Sequence, residues 1–274
     1  MYNARKLLTG LLLIGFACRP PAPASDSVSG SSKPRIPDRL KLVSWNIEYA
    51  TAGLDPIADF LRSQAADVIC LQEISRPGST RGGGEDQARR IADRLGRWNH
   101  ASGATLHIPQ QQDCDLAILS KWPVRSATAL AVTPGDRVYA IHASLGDGPD
   151  TVHVVSVHTH ATFRLSPAHV VESVRKRRQQ VDQLLERVGG LAGRVLVAGD
   201  FNAPSVTPEY AALAARLTDL SSSVDGDQRT FPASRPILRL DYAFGRGWRP
   251  VTYQVVDTEL SDHRPLVVEV MRQP

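Results

Sequence analysis

Apolar residues in this chain come in short, unbroken runs that stop abruptly at polar clusters. Runs over 40–43, 68–71, 117–119, 152–157, 195–198, 251–256 and 266–270 are rich in Val, Ile and Leu, which predicts strands. Between them the period lengthens to three and four residues, which predicts helices over 56–62, 85–95, 167–188 and 208–216. The third helix carries Val170, Val174, Val181, Leu184 and Val188 on one stripe, so that stripe faces a core. Arg177 falls inside it. A guanidinium is costly to bury alone, so Arg177 is expected to pair with a carboxylate or carbonyls behind a site rather than to touch a ligand. Strands alternating with helices place the chain in the α/β class.

The polar clusters at the ends of these runs carry the chemistry. In order they are Ser44-Trp45-Asn46, Leu71-Gln72-Glu73, Val157-His158-Thr159-His160, Gly199-Asp200-Phe201-Asn202 and Ser261-Asp262-His263. Strands that end in carboxylates, amides and imidazoles aim functional groups at one rim of a sheet. Oxygen ligands beside histidines suit a hard cation such as Mg²⁺ or Mn²⁺ and acid–base work at phosphate. Glu73 and Asn46 are the candidate ligands, with Glu48 able to join through water. Asp200 and Asn202 stand two apart on what reads as an extended segment, so both should point the same way, one toward an attacking water and one toward a phosphate oxygen. His158 and His160 share a strand face with Val154 and Ser156, opposite His153. His100, His107, His142, His153 and His169 sit in no pattern and are expected at the surface. His263 follows Asp262 directly, so the two side chains diverge, and a carboxylate distant in sequence should orient the imidazole.

Further segments extend the set: Ala117-Ile118-Leu119-Ser120-Lys121-Trp122-Pro123, Arg177 with Gln180, Thr230-Phe231-Pro232 and Leu240-Asp241-Tyr242. From about residue 41 to 270 the chain resembles the endonuclease/exonuclease/phosphatase superfamily. Those metal-dependent phosphodiesterases include exonuclease III-like enzymes, pancreatic-type deoxyribonucleases, neutral sphingomyelinases and inositol polyphosphate phosphatases. The resemblance implies a four-layer α-β-β-α sandwich of two packed mixed sheets with the active site at one rim. It implies a metal site of Asn46, Glu73 and Asp262 holding Mg²⁺ or Mn²⁺. It also implies catalytic roles for His158, Asp200, Asn202, Asp241 and His263, with Asp241 orienting His263. His158 fits the phosphate-binding histidine, and His160 is the second register. Every motif position is filled, which opposes an inactive binding module on this fold. Nucleic acid, a phospholipid and a small phosphodiester all stay open as substrates for what is expected to be a monomer.

Composition changes the picture at the N-terminus. Arg5 and Lys6 precede an apolar run over 7–16 that is too short to span a bilayer, the pattern of an export leader over 1–17. Gly15-Phe16-Ala17-Cys18 resembles a lipoprotein processing box, which would tether the chain to a membrane through Cys18. Ala22-Pro23-Ala24 offers ordinary cleavage instead, giving a periplasmic or secreted protein. The Pro-, Ser- and Gly-rich stretch over 18–38 reads as a linker, leaving 39–274 as one catalytic domain. The chain of 274 residues has a formal charge of +4, and loss of Arg5 and Lys6 would leave 30 basic against 28 acidic residues. That balance gives no argument for nucleic acid. Cys70 reads as a buried apolar residue, and no Cys-x-x-Cys pair is present. Gly82-Gly83-Gly84 lacks the lysine of a P-loop and reads as a surface loop near the site. Arg175, Lys176 and Arg178 spread around their helix as a solvated face. Neither an aromatic ladder for stacking bases nor an apolar hairpin for entering a bilayer is evident.

Overall fold

The computed structural model describes residues 35–109, 112–146, 150–162, 164, 166–222 and 224–274. The leader, Cys18 and the linker up to residue 34 lie outside the described residues. In chain order the elements are β1 (Arg39–Asn46), α1 (Leu54–Ser63), β2 (Val68–Gln72), α2 (Gln87–Arg94), β3 (Asn99–Ser102), β4 (Leu116–Ser120), β5 (Val124–Leu130) and β6 (Ala140–Leu145). They continue with β7 (Val152–His158), α3 (Pro167–Gly189), β8 (Arg194–Asp200), α4 (Pro208–Ala214), β9 (Thr218–Asp219), β10 (Asp241–Arg246), β11 (Trp248–Val255) and β12 (Leu266–Arg272).

These strands form two six-stranded mixed sheets, ordered β11-β12-β1-β2-β4-β3 and β5-β6-β7-β8-β10-β9. The parallel pairs are β1 with β2 and β7 with β8. Strand alternation sorts the apolar side chains into three buried layers. Leu40, Leu42, Val68, Cys70, Ile118, Val154, Leu196 and Val268 fill the space between the sheets. Val43, Trp45, Ile69 and Leu71 turn outward onto Ile57, Leu61 and Ile91 of α1 and α2. Val155, Val157, Val195 and Val197 turn outward onto Val181, Leu184 and Val188 of α3. The result is a four-layer sandwich. Ile36 is already buried against Gly146, so packing begins ahead of the boundary at residue 38 that composition suggested.

The periodic runs all lie within strands or helices, apart from short overhangs at their ends. The strands that periodicity did not reveal are β3, β5, β6, β9 and β10. Their sequences, such as AIHASL in β6 and DYAFGR in β10, mix small, polar and glycine residues of low strand preference. Pairing to neighbours decides them: β10 lies antiparallel to β8 with Asp241 opposite Asp200. His142 is a correction. It was expected at the surface, but it sits buried on the α3 side of β6, 3.1 Å from both His153 Nδ1 and Arg187 Nη2.

Candidate active site

The two parallel pairs and their antiparallel neighbours bring eight element ends to one rim. These are the C-terminal ends of β1, β2, β7 and β8, and the N-terminal ends of β4, β6, β10 and β12. Buried polar contacts cross between the sheets below that rim. Gln72 Nε2 donates to Ser156 Oγ at 3.1 Å, and Ser156 Oγ donates to the Leu71 carbonyl at 3.3 Å. Gly199 permits the close approach of β8 to β7. Its φ is +153°, and a Cβ there would lie 2.0 Å from the Val157 carbonyl oxygen.

Asp200 stands at the centre. Its Oδ1 accepts from the Asn202 backbone N–H at 2.8 Å, which locks the rotamer. Its Oδ2 lies 3.7 Å from His158 Nε2, 3.7 Å from His263 Nε2 and 3.2 Å from Asn46 Nδ2. The expected extended geometry past Asp200 is corrected: β8 ends there, and Asn202 adopts φ 48°. The Asp-x-Asn spacing is a side-chain-capped turn. Asn202 still faces the rim, with Nδ2 3.2 Å from the Thr159 carbonyl.

His263 and Asp241 meet, with Nδ1 2.8 Å from Oδ2. Burial alone would lower the imidazole pKa. The carboxylates of Asp241 and Asp200 outweigh it and hold the pKa up to about 10. Burial raises the Asp241 carboxyl against the opposing pull of the His263 imidazole. Asp200, Asp241 and His263 place one ligand atom each within 4.8 Å of one another. With its Nδ1 committed to Asp241, His263 turns Nε2 toward Asp200 at 3.7 Å.

Asn46 bridges the sheets. Its Nδ2 also donates to Glu73 Oε1 at 3.1 Å, and its Oδ1 accepts from the Glu48 N–H at 3.1 Å. Glu73 holds a left-handed backbone, φ 50°, as do Glu48, Tyr49 and Ala50 in the turn beside it. Asp262 is exposed, and Ser261 Oγ lies 3.4 Å from its Oδ1. Burial, then the charges of Glu48 and Glu73, raise its carboxyl against the opposing pull of His263. Carboxylates that repel across an open mouth, beside an amide oxygen, are the donor chemistry of a hard cation. Asn46, Glu73 and Asp262 therefore fit a divalent ion, with Glu48 at the edge.

Around His158 the structure adds residues that sequence reasoning missed. His158 Nδ1 lies 2.6 Å from Arg137 Nη2 and 3.3 Å from Asp115 Oδ2. Arg137 also donates to both Asp115 oxygens, at 3.0 and 2.8 Å. Burial would raise the Asp115 carboxyl, but Arg137 and His158 outweigh it and hold it far below the usual carboxylate range. Tyr49 Oη donates to Asp115 at 3.1 Å and accepts from Arg81 Nη1 at 2.8 Å. A sequence signal was available, since Asp115 opens β4 as the other motifs close their strands. His160 lies away from this group. Its backbone N–H donates to Gln180 Oε1 at 2.9 Å, and its carbonyl accepts from Arg177. Arg177 pairs with buried Glu209 at 2.9 Å behind the rim, as expected. Gly82-Gly83-Gly84 lies at the surface near the site, as expected, with Gly82 packed closely: a Cβ there would lie 2.8 Å from Ser75 Cβ and 3.1 Å from Tyr49 Cβ.

Comparison with known proteins agrees with this arrangement. A 95-residue stretch is 36% identical to UPF0294 protein YpsIP31758_1050 of Yersinia pseudotuberculosis, spanning 33% of this chain and about a third (35%) of that relative's length. Among solved structures, an endonuclease/exonuclease/phosphatase from Beutenbergia cavernae superposes with a TM-score of 0.62 at 20% identity, covering 87% of this chain and 72% of the other. D. rerio TDP2 complexed with single strand DNA product superposes with a TM-score of 0.64 at 14% identity, covering 85% and 98%. The sequence profile of the Endonuclease/Exonuclease/phosphatase family matches residues 43–263, so the chain belongs to that family.

Proposed function

We propose that this protein hydrolyses phosphodiester bonds with the help of Mg²⁺ or Mn²⁺. One observation carries the reading. Asp200 Oδ2 faces two imidazoles, His158 at the end of β7 and His263 on the loop into β12, each 3.7 Å away, while Asn46 Nδ2 ties it to Glu73 at 3.2 and 3.1 Å. Hydrolysis forms one P–O bond to the oxygen of water, breaks one P–O ester bond and leaves a proton for the departing alkoxide. Asp200 is placed to orient the attacking water and take its proton, since its other oxygen is already held by Asn202. His158 and His263 are placed to hold phosphoryl oxygens as charge builds on them, and the Asn202 amide can add a further donor. Asp241 fixes the orientation of His263, and Asp115 with Arg137 fixes that of His158. Glu73, Asn46 and Asp262 would hold the divalent ion, which would supply Lewis-acid stabilisation at the phosphate when bound. The single-stranded DNA product in the D. rerio TDP2 structure supports a phosphodiester as the bond class.

The test is a panel of DNA, RNA, sphingomyelin, phosphatidylinositol and bis-p-nitrophenyl phosphate, each with and without Mg²⁺. At least one should be cleaved only with the ion, and Asp200→Asn should lower kcat by about 10²-fold or more. Full activity in excess chelator would sink the metal reading, and no cleavage of any substrate would sink the reaction.

We further propose export, on the leader pattern ending at Cys18. If Cys18 is lipidated, the linker gives the domain a typical reach of roughly 20–30 Å from the membrane. Mass spectrometry of the mature N-terminus decides it: an acylated Cys18 is expected, a chain starting near Ser25 refutes the anchor alone, and an intact Met1 refutes export.

A further inference from the structure

Four large apolar side chains stand exposed among the described residues: Val171 at 68%, Val206 at 92%, Ile237 at 62% and Leu238 at 38%. All four belong to segments at the rim that carries the site. Val206 is on the loop leaving β8, shortly after Asp200 and Asn202. Val171 is in the first turns of α3, which follows the His158 end of β7. Ile237 and Leu238 lie on a short hairpin leading into Asp241. It is closed by two backbone hydrogen bonds between Phe231 and Leu238, at 3.0 and 2.9 Å. No apolar hairpin was evident in the sequence, because the segment has no strand periodicity and its closure is a single bridge.

The hairpin is fastened to the catalytic groups. Ala233 N–H donates to the Asp262 carbonyl at 2.7 Å, Arg264 Nε donates to the Ala233 carbonyl at 2.8 Å, and the Phe231 ring centroid lies 4.8 Å from that of His263. Its neighbour, the Val206 loop, is tied to the same base. Tyr242 Oη lies 2.8 Å from the Ala203 carbonyl and 2.9 Å from that of Arg239. One side of the hairpin thus backs the imidazole, while Ile237 and Leu238 face solvent.

Charge narrows the occupant. Arg229, Arg239 and Arg264 are each held by an aspartate, namely Asp227, Asp219 and Asp257. Arg235, on the hairpin beside Ile237, is exposed and makes no ion pair among the described residues. An exposed guanidinium next to aliphatic side chains matches a surface where anionic headgroups overlie acyl chains. A single-stranded nucleic acid would instead call for stacking aromatics and a track of unpaired cations, whereas the exposed side chains here are aliphatic and the flanking arginines are neutralised. We infer that this rim docks on an anionic lipid bilayer and that the phosphodiester delivered to the site is that of a membrane lipid. The inference rests on the hydrolase reading above.

The experiment uses the full chain with Cys18→Ser, so that acylation at that position contributes nothing, with and without the pair Ile237→Ser and Leu238→Ser. The probes are vesicles of phosphatidylglycerol with phosphatidylcholine, vesicles of phosphatidylcholine alone, a single-stranded oligonucleotide and bis-p-nitrophenyl phosphate. The double variant should lose about tenfold or more in vesicle co-sedimentation and lipid hydrolysis, with the soluble ester cleaved as before. Arg235→Glu should weaken binding to the phosphatidylglycerol vesicles and leave the others unchanged. Equal sedimentation and lipid hydrolysis by parent and double variant would overturn the inference. So would a parent that cleaves the oligonucleotide and ignores vesicles, which would assign the rim to nucleic acid. A parent inert toward the soluble ester defeats the hydrolase reading, while co-sedimentation still decides the docking.

Discussion

At the residue scale, the Asp241–His263 pair acts as one unit. Their 2.8 Å contact means that removing either partner disables the same imidazole. His263→Ala should lower kcat by about 10²-fold or more, and Asp241→Asn should act as a weaker version of the same lesion. The double variant should be little worse than His263→Ala alone; losses that simply multiply would show that the two do not act together. Gly199 makes a separate prediction. Any Cβ there overlaps the Val157 carbonyl, so Gly199→Ala should cost about 3 kcal/mol or more in denaturant unfolding. Asp-x-Asn was legible as chemistry from its neighbours, but not as geometry, because the turn at Asn202 is set by the Asp200 side chain closing back on the Asn202 N–H.

At the element scale, α3 and the outer face of sheet two enclose a small polar island. His142 is flanked by His153 from β7 and Arg187 from α3. Burial first, then Arg187 and His153, lowers the His142 imidazole to about 4. The folded protein therefore keeps it neutral where the unfolded chain takes a proton. The associated stability is complete above about pH 6.5, and it is lost as pH falls from there toward about 4. Between those limits the wild type should lose on the order of 1–2 kcal/mol more than His142→Gln, after allowance for solvent screening. In a domain of this size that is a difference of about 2–8 °C in Tm. Parallel melting curves for the two proteins across that window would remove His142 from the account. The α3 stripe was legible because a period of 3.6 is local. The burial of His142 was not, because β6 carries no run of its own and its cover comes from an element 25 residues further on, at Pro167.

At the scale of the whole molecule, the site exists only where the two sheets meet. Asn46 from one sheet donates to Asp200 of the other, and the like charges of Glu48 and Glu73 help raise the Asp262 carboxyl. A divalent ion that relieves this repulsion binds the folded chain alone, so it should raise Tm. At 100 times its Kd the gain is about 2.7 kcal/mol. Calorimetry with Mg²⁺ and then with excess chelator reads this without reference to activity. Glu73→Gln should abolish most of the ion-dependent gain, and an identical Tm with and without the ion in the wild type would argue against the assigned ligands.

The sequence by itself determined which residues stand at strand ends, because an apolar run that stops at a carboxylate or an imidazole is a property of neighbouring positions. From that came the α/β class, the order of the motifs and the candidates Asn46, Glu73, His158, Asp200 and His263, while the family resemblance supplied the roles of Asp241 and Asp262. Only the tertiary structure decided what those groups touch. Asp115 and Arg137 lie 22 residues apart, on separate segments that lead into β4 and β6. They join His158 because β4, β6 and β7 end at a common rim. The hairpin from Phe231 to Leu238 is likewise built by two backbone hydrogen bonds and by contact with Asp262 and His263. Periodicity records the face on which a residue lies, whereas ion pairs, hydrogen bonds and exposed apolar tips depend on how separate strands come into register.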